Sequence, residues 1–136
     1  MKKNEDIRVR ESARIVKPSG KILSREYRSY INKERAGEIE YVPDLKTYKN
    51  GFHKSNDPHI KKGDSGIALV YTERGKRNKG VGKKLMNKAI STAKKEKKKR
   101  VLLEVRSDNK KAMNIYNILK YIFQFVNIWK CAEYFI

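Results

Sequence analysis

Arg77, Gly80 and Gly82 set the first chemical question, because the stretch RNKGVGKK at residues 77–84 has the form of a loop that holds a phosphate group. Glycine lets a backbone approach a ligand closely, and unpaired N–H groups at a helix start attract an anion. In a chain so rich in lysine and arginine the spacing Arg-x-x-Gly-x-Gly is by itself a weak signal. It is not a dinucleotide-binding fingerprint, which needs a third glycine and an acid about 20 residues further on. It is not a Walker loop either, which requires Gly-Lys-[Ser/Thr] after its spacer. Other reactive residue types are sparse. His53 and His59 stand alone and read as loop residues, and the single cysteine, Cys131, excludes an intrachain disulfide. No Cys/His cluster offers zinc ligands, so no metal is expected.

The meaning of the loop depends on what flanks it. Residues 66–72, GIALVYT, form a short apolar run rich in strand-forming side chains. After the loop, Val81, Leu85, Met86, Ala89, Ile90 and Ala93 recur at the period of one helix face. The run KKEKKKR at residues 94–100 ends that helix as a solvated turn and leads into a second strand, VLLEVR, at residues 101–106. Ser107 or Asp108 caps a further helix, in which Ala112, Ile115, Tyr116 and Leu119 share a face. The order strand, glycine loop, helix, strand implies that the two strands run parallel.

The preceding part, residues 1–62, is polar, basic and weakly patterned. Pro18-Ser19-Gly20 marks a turn. Leu23, Tyr27, Tyr30 and Ile31 have helical spacing and predict a helix ending near Gly37. EIEYV at residues 38–42 alternates and predicts a short strand stopped by Pro43; residues 44–64 read mostly as loop with a turn at Asn50-Gly51.

At 136 residues the chain has the length of one domain, and its 34 Lys and Arg against 15 Asp and Glu give a formal charge of +19. That excess points to an acidic partner such as a nucleic acid, a ribosome, an anionic cofactor or a membrane surface. The first residues are charged and lack the apolar core of a signal peptide. No run reaches the roughly 18–20 apolar residues of a membrane span. With a lone cysteine, these features lead to the expectation of a cytoplasmic protein with no membrane partner.

Two motifs now carry a family resemblance. Arg77-x-x-Gly80-x-Gly82 resembles the acetyl-CoA loop of the GNAT superfamily of N-acetyltransferases. LLEVRSDNKKAMNIY at residues 102–116 is similar to the Leu-Glu-Val-Arg…Asn-x-x-Ala-x-x-x-Tyr segment of ribosomal-protein-alanine and archaeal N-terminal acetyltransferases. The resemblance covers residues 66–116, the acetyl-CoA-binding core at residues 65–116 of a single domain spanning 1–136. Around it lie a diverged basic segment, 1–64, and a short atypical one, 117–136. It implies an α/β fold with a GNAT-like mixed sheet, splayed central strands flanked by helices, and an incomplete C-terminal end. FVNIWK, residues 125–130, then resembles the family's following strand.

By position, the resemblance implies that the N–H groups of Arg77, Asn78, Lys79, Gly80, Val81 and Gly82 hold the pyrophosphate of acetyl-CoA. It implies that Val70, Tyr71 and Thr72 pair with the pantetheine arm and that Asn109 contacts the cofactor. Glu104 matches the general base and Tyr116 the general acid. Without the resemblance, Glu104 also reads as a surface strand residue, Tyr116 as a core aromatic and Asn109 as a helix-start residue.

The expected reaction moves an acetyl group from acetyl-CoA to a primary amine, foremost the N-terminal α-amine of a protein or peptide. Such an amine has a pKa of about 7.7–8.0, within reach of a carboxylate base, whereas a lysine amine near 10.4 needs more help. The rival readings are a non-catalytic basic module that binds RNA, DNA or a ribosome, with Tyr41, Tyr48 and Phe52 among its basic residues, and a small-molecule amine acetyltransferase. Residues 94–100 read first as a solvated helix end and turn and second as a contact for a ribosome or RNA.

Overall fold

The computed structural model describes residues 6–46, 61–77, 79–98, 100–105 and 126–130. Its strands are β1 (Ile7–Val16), β2 (Ile22–Ile31), β3 (Glu34–Val42), β4 (Ser65–Thr72), β5 (Val101–Val105) and β6 (Val126–Lys130), with one helix, α1 (Val81–Lys95), between β4 and β5. They form a single six-stranded sheet in chain order. The pairs β1–β2, β2–β3 and β3–β4 are antiparallel, whereas β4–β5 and β5–β6 run parallel. The sheet is therefore mixed, as expected, and α1 is its crossover connection.

The helix expected before Gly37 is instead the β2–β3 hairpin. Tyr27 and Ile31 are buried. Their spacing of four is a multiple of the strand period, so a strand puts them on one face as readily as a helix does. Tyr30 goes to the other face, where the Arg10 guanidinium lies 4.7 Å from its ring centre. The turn itself is Asn32-Lys33, with φ of 50° and 67°. Two positive φ values are those of a type I′ turn, whose usual signature is Asn-Gly. Lysine in the glycine position hides the hairpin from a sequence reading. The basic segment before it also belongs to the sheet as β1, joined to β2 through the expected turn at Pro18-Ser19-Gly20.

The expected strand at residues 38–42 is the second half of β3, and the strands expected at 66–72 and 101–106 are β4 and β5. The turn expected at Asn50-Gly51 and the helix after Ser107 lie outside the described residues. The six residues assigned to one face of α1 are the helix's buried residues. They pack on Tyr27, Ile31, Ile39, Tyr41, Ile67 and Val101 of the sheet. Each large side chain so buried contributes about 1.5–3 kcal/mol. Two phenols at the edge of this core find partners on or just after α1. The Tyr27 hydroxyl lies 2.9 Å from Thr92 Oγ1, and the Tyr41 hydroxyl donates to Glu96 Oε1 at 2.8 Å.

Residues 94–98 end α1 as expected. Lys94 and Lys95 occupy the last turn, where positive charge complements the carbonyl end of the helix. Lys97 adopts φ 59°, and the Lys98 N–H closes onto the Ala93 carbonyl at 3.0 Å. That closure is a Schellman-type cap with lysine in the position glycine favours.

An ion pair between the buried Asp64 and the partly exposed Arg100 joins the starts of β4 and β5. Arg100 donates through Nε to Asp64 Oδ1 at 2.9 Å and through Nη2 to Asp64 Oδ2. The Lys61 N–H donates to Asp64 Oδ2 at 2.7 Å. Ser65 adds two bonds to the Arg100 carbonyl, from its N–H at 3.1 Å and its hydroxyl at 3.0 Å. Burial opposes ionisation of Asp64, but the Arg100 hydrogen bonds, the Lys61 N–H and their charges outweigh it and hold its carboxyl below the ordinary value.

A carboxyl depressed in the folded state stabilises the fold above its unfolded value of 3.8, and that contribution is lost as pH falls through the lower folded value. Asp64→Asn is expected to cost about 2–3 kcal/mol near pH 7, below the usual range for breaking a buried pair because Arg100 remains partly exposed. Urea unfolding at pH 7 and across pH 5 to 2 measures this. The stability gap between wild type and variant should narrow on acidification; a gap that stays constant with pH would assign the loss to packing instead of charge.

Candidate active site

The β4–β5 ladder is short. Ser65, Gly66 and Ile67 pair with Val101, Leu102 and Leu103, and the register ends there. Yet β4 continues to Thr72 and β5 to Val105. The physical cause is on the other edge of β4. Glu40 of β3 pairs with Leu69 while the next residue, Tyr41, pairs with Ile67. Ala68 is thus an extra residue, a β-bulge, and a bulge bends its strand and increases its twist. The bulge falls one residue past the last β4–β5 pair, so β4 turns away from β5 at that point. Meanwhile β5 remains paired with β6 along its length, from Val101↔Val126 to Val105↔Lys130. The outcome is a gap between two parallel strands, closed at one end by Asp64 and Arg100. The β5-side edge of β4 beyond Ile67 offers main-chain groups to an extended ligand.

The loop after β4 brings the helix start to this gap. The Glu73 N–H donates to the Ala36 carbonyl at 2.7 Å, and the Lys76 N–H to the Glu73 carbonyl at 3.0 Å. Lys76 Nζ pairs with Glu34 at 2.7 Å. Gly80 then caps α1 with φ 85° and ψ 12°, a left-handed conformation that suits glycine, and no side chain caps the helix. The first turn contains no acid. Its leading N–H groups lack partners within the helix, so this end is electropositive and suited to an anion. A Cβ placed on Gly82 would lie 3.9 Å from Thr72 Oγ1, which puts the helix start beside the last residue of β4. Lys84 Nζ donates to the Ile7 carbonyl at 3.1 Å and ties this turn to β1.

Gly37 of β3 sets how closely these parts meet. A Cβ there would lie 2.6 Å from the Tyr71 carbonyl oxygen, 2.9 Å from Val81 and 3.2 Å from Leu85. Only a residue without a side chain lets α1 and the end of β4 approach β3 together.

The expected site residues divide as follows. Val70, Tyr71 and Thr72 occupy the end of β4 beyond the last β5 pair, all half-buried. Val70 packs against the α1 core. Arg77, Lys79, Gly80, Val81 and Gly82 belong to the loop and first turn, with Arg77 and Lys79 exposed and Val81 buried. Glu104 lies on β5 one position past the final β4 pair and opposite Trp129 of β6. Asn78, Asn109 and Tyr116 lie outside the described residues.

Sequence reasoning missed the bulge at Ala68, for which the run GIALVYT gives no signal, and missed the group around Tyr71. The Tyr71 hydroxyl accepts from Arg35, whose guanidinium lies 5.7 Å from its ring centre. Arg35 also pairs with Glu38 at 3.3 Å and Glu73 at 3.5 Å. Burial works against ionisation of Glu38, but hydrogen bonds with Glu26 and Arg28 and the charges of Arg35 and Arg28 hold it below the usual carboxylate range.

The acetyltransferase (GNAT) family profile matches residues 24–121. No curated protein matches the chain. Among solved structures, AAC(6')-Iy in complex with the bisubstrate analog CoA-S-monomethyl-acetylneamine is similar at TM-score 0.56 and 11% identity, over 71% of this chain and 60% of that one. A GNAT-family acetyltransferase from Staphylococcus aureus Mu50 is similar at TM-score 0.52 and 20% identity, over 71% and 51%. The ribosomal-protein-alanine N-acetyltransferase from Brucella melitensis biovar Abortus 2308 is similar at TM-score 0.52 and 13% identity, over 71% and 61%. The chain thus spans between 51% and 61% of the length of these three proteins.

Gly37→Ala is expected to push α1 off β3, costing about 1–3 kcal/mol, the usual range for overpacking. Thermal unfolding measures it. A variant as stable as wild type would mean that α1 and β4 re-seat without strain.

Proposed function

The chain belongs to the acetyltransferase (GNAT) family, and we propose that it transfers an acetyl group from acetyl-CoA to a primary amine, the N-terminal α-amine of a protein. One observation carries this reading: the bulge at Ala68 and the end of the β4–β5 register open a gap immediately beside the uncapped start of α1. A ligand with a diphosphate at one end and an extended amide arm at the other fits such a pair of features.

The N–H groups of residues 77–82 then hold the pyrophosphate, and Val70, Tyr71 and Thr72 align the pantetheine arm as a strand would. Acetyl-CoA supplies a thioester, and the acceptor amine must be neutral to attack it. Glu104, at the mouth of the gap, accepts the amine proton through water. Tyr116 donates a proton to the departing thiolate, and Asn109 contacts the cofactor. Preference for an α-amine over a lysine side chain follows from its lower pKa. Similarity to the ribosomal-protein-alanine enzyme supports a protein acceptor. Similarity to AAC(6')-Iy supports a small-molecule amine as the second reading. Acetylation of an N-terminal peptide against an aminoglycoside amine separates the two.

Acetyl-CoA should raise the unfolding temperature, since a ligand selective for the folded state stabilises it by mass action. Gly80→Asp should abolish that rise by placing bulk and negative charge at the helix start. No shift in wild type at millimolar acetyl-CoA would overturn the cofactor reading.

Tyr116→Phe should lower kcat by roughly 10²–10⁴-fold, the range for a positioned acid or base, with acetyl-CoA affinity retained. Glu104→Gln should slow the reaction most at low pH, where more of the amine is protonated. Rate–pH profiles on peptides bearing an α-amine or a lysine amine measure both. Wild-type rates in both folded variants would make these residues structural.

A further inference from the structure

We propose that the sheet face opposite α1 is a track for an acidic acceptor peptide, whose carboxylates sit on Arg8, Arg10 and Lys33 while its amine reaches the open end of β4. The inference rests on the acetyl-transfer reading above and adds the acceptor's chemistry.

The first face of the sheet is filled by α1 and its core. An acceptor therefore approaches from the second face, where Leu69 of β4 is 46% exposed. Tyr71 shares that face, since Val70 between them packs towards α1. Cross-strand pairing builds a row from the gap outwards: Tyr71 pairs with Glu38, Glu38 with Arg28, and Arg28 with Arg10. The next row pairs Arg35 with Tyr30 and Tyr30 with Arg8. At the far end of both rows lies a cavity of about 400 Å³ lined by Asp6, Arg8, Arg10, Tyr30, Asn32 and Lys33. Three of these six are cations and one is an acid. The positive field there acts on Tyr30, whose phenol is held below its ordinary value by hydrogen bonds and charge from Arg10 and Arg28.

The charge changes sign along the track. Near the gap the face carries Glu26, Glu38 and Glu40. Glu38 is held by Arg28 at 3.0 Å and Arg35 at 3.3 Å, and Glu26 by Arg28 at 3.1 Å. A peptide N-terminus arrives largely as an ammonium group and suits the acidic middle; carboxylates further along suit the cationic end. A single-stranded nucleic acid, with a phosphate at every step, would set charges against those glutamates. Three interstrand spacings of about 4.8 Å separate β1 from β4, about 14 Å, and an extended peptide rises about 3.3 Å per residue. Acidic side chains four to five residues downstream of the amine are therefore the match.

The test uses the full chain, a labelled peptide with a free N-terminal amine and aspartates at residues five and six, and its asparagine counterpart. Fluorescence anisotropy should show the acidic peptide binding about 5- to 20-fold tighter, the range two or three exposed ion pairs supply. Combined Arg8→Ala, Arg10→Ala and Lys33→Ala should erase the difference. Combined Arg14→Ala, Lys17→Ala and Lys62→Ala, an equal loss of three positive charges away from the cavity lining, should keep it. Equal binding of the two peptides, no binding of either, or a preference that survives the triple variant would overturn the proposal. So would a single-stranded RNA oligonucleotide that displaces the acidic peptide from wild type. If the triple variant fails to fold by circular dichroism, moving the aspartates to residues two and three decides instead: affinity must fall. Acidic binding without acetylation of either peptide would sink the acetyl-transfer reading and leave the track. Acetylation of both with equal kcat/KM would keep the reading and sink the track.

Discussion

The bidentate contact between Arg100 and Asp64 is the constraint on which the site depends. It fixes where β4 and β5 begin relative to one another, and Ser65 reinforces it with two bonds to the Arg100 carbonyl. With the starts locked, any later bend in β4 must separate the strands and cannot slide them. The extra residue Ala68 supplies that bend one residue past the last shared pair. A parallel pair that opened without a fixed end would lose register, and a locked pair without a bulge would zip shut. The gap requires both.

The same geometry explains why the glycine loop lies where it does. Strand β4 ends at Thr72 and α1 starts at Val81, and the helix folds back onto the sheet through six buried residues. Gly37 allows that approach, so the uncapped helix start comes to rest beside Thr72 instead of a side-chain layer away. Packing energy from the apolar face of α1 thus positions an electropositive end that has no acid of its own to neutralise it.

The net charge of +19 is distributed with structure. Some cations stabilise the fold: Arg100 at the strand starts, Lys94 and Lys95 at the carbonyl end of α1, Lys84 on the β1 carbonyl. Others, such as Arg28 and Arg35, hold buried or half-buried carboxylates on the sheet face opposite α1. Arg8, Arg10 and Lys33 line a cavity.

The sequence by itself determined the second half of the described fold. The apolar run 66–72, the helical period from Val81 to Ala93 and the run 101–106 are local patterns whose burial depends on one neighbour each, and they appear as β4, α1 and β5. It also carried the motifs around Gly80 and Glu104. In the first half only the turn at Pro18-Ser19-Gly20 and the strand at residues 38–42 were legible, and tertiary structure decided the rest. Tyr27 and Ile31 fit both periods, and Lys33 in the left-handed position of a type I′ turn masks the hairpin, so only pairing with β1 and β3 makes this segment a strand. The bulge at Ala68, the Arg35–Tyr71 contact and the Asp64–Arg100 lock likewise leave no local trace. Each is a relation between residues far apart in the chain, and a pattern of residue types along one strand holds no information about the register of the strand beside it.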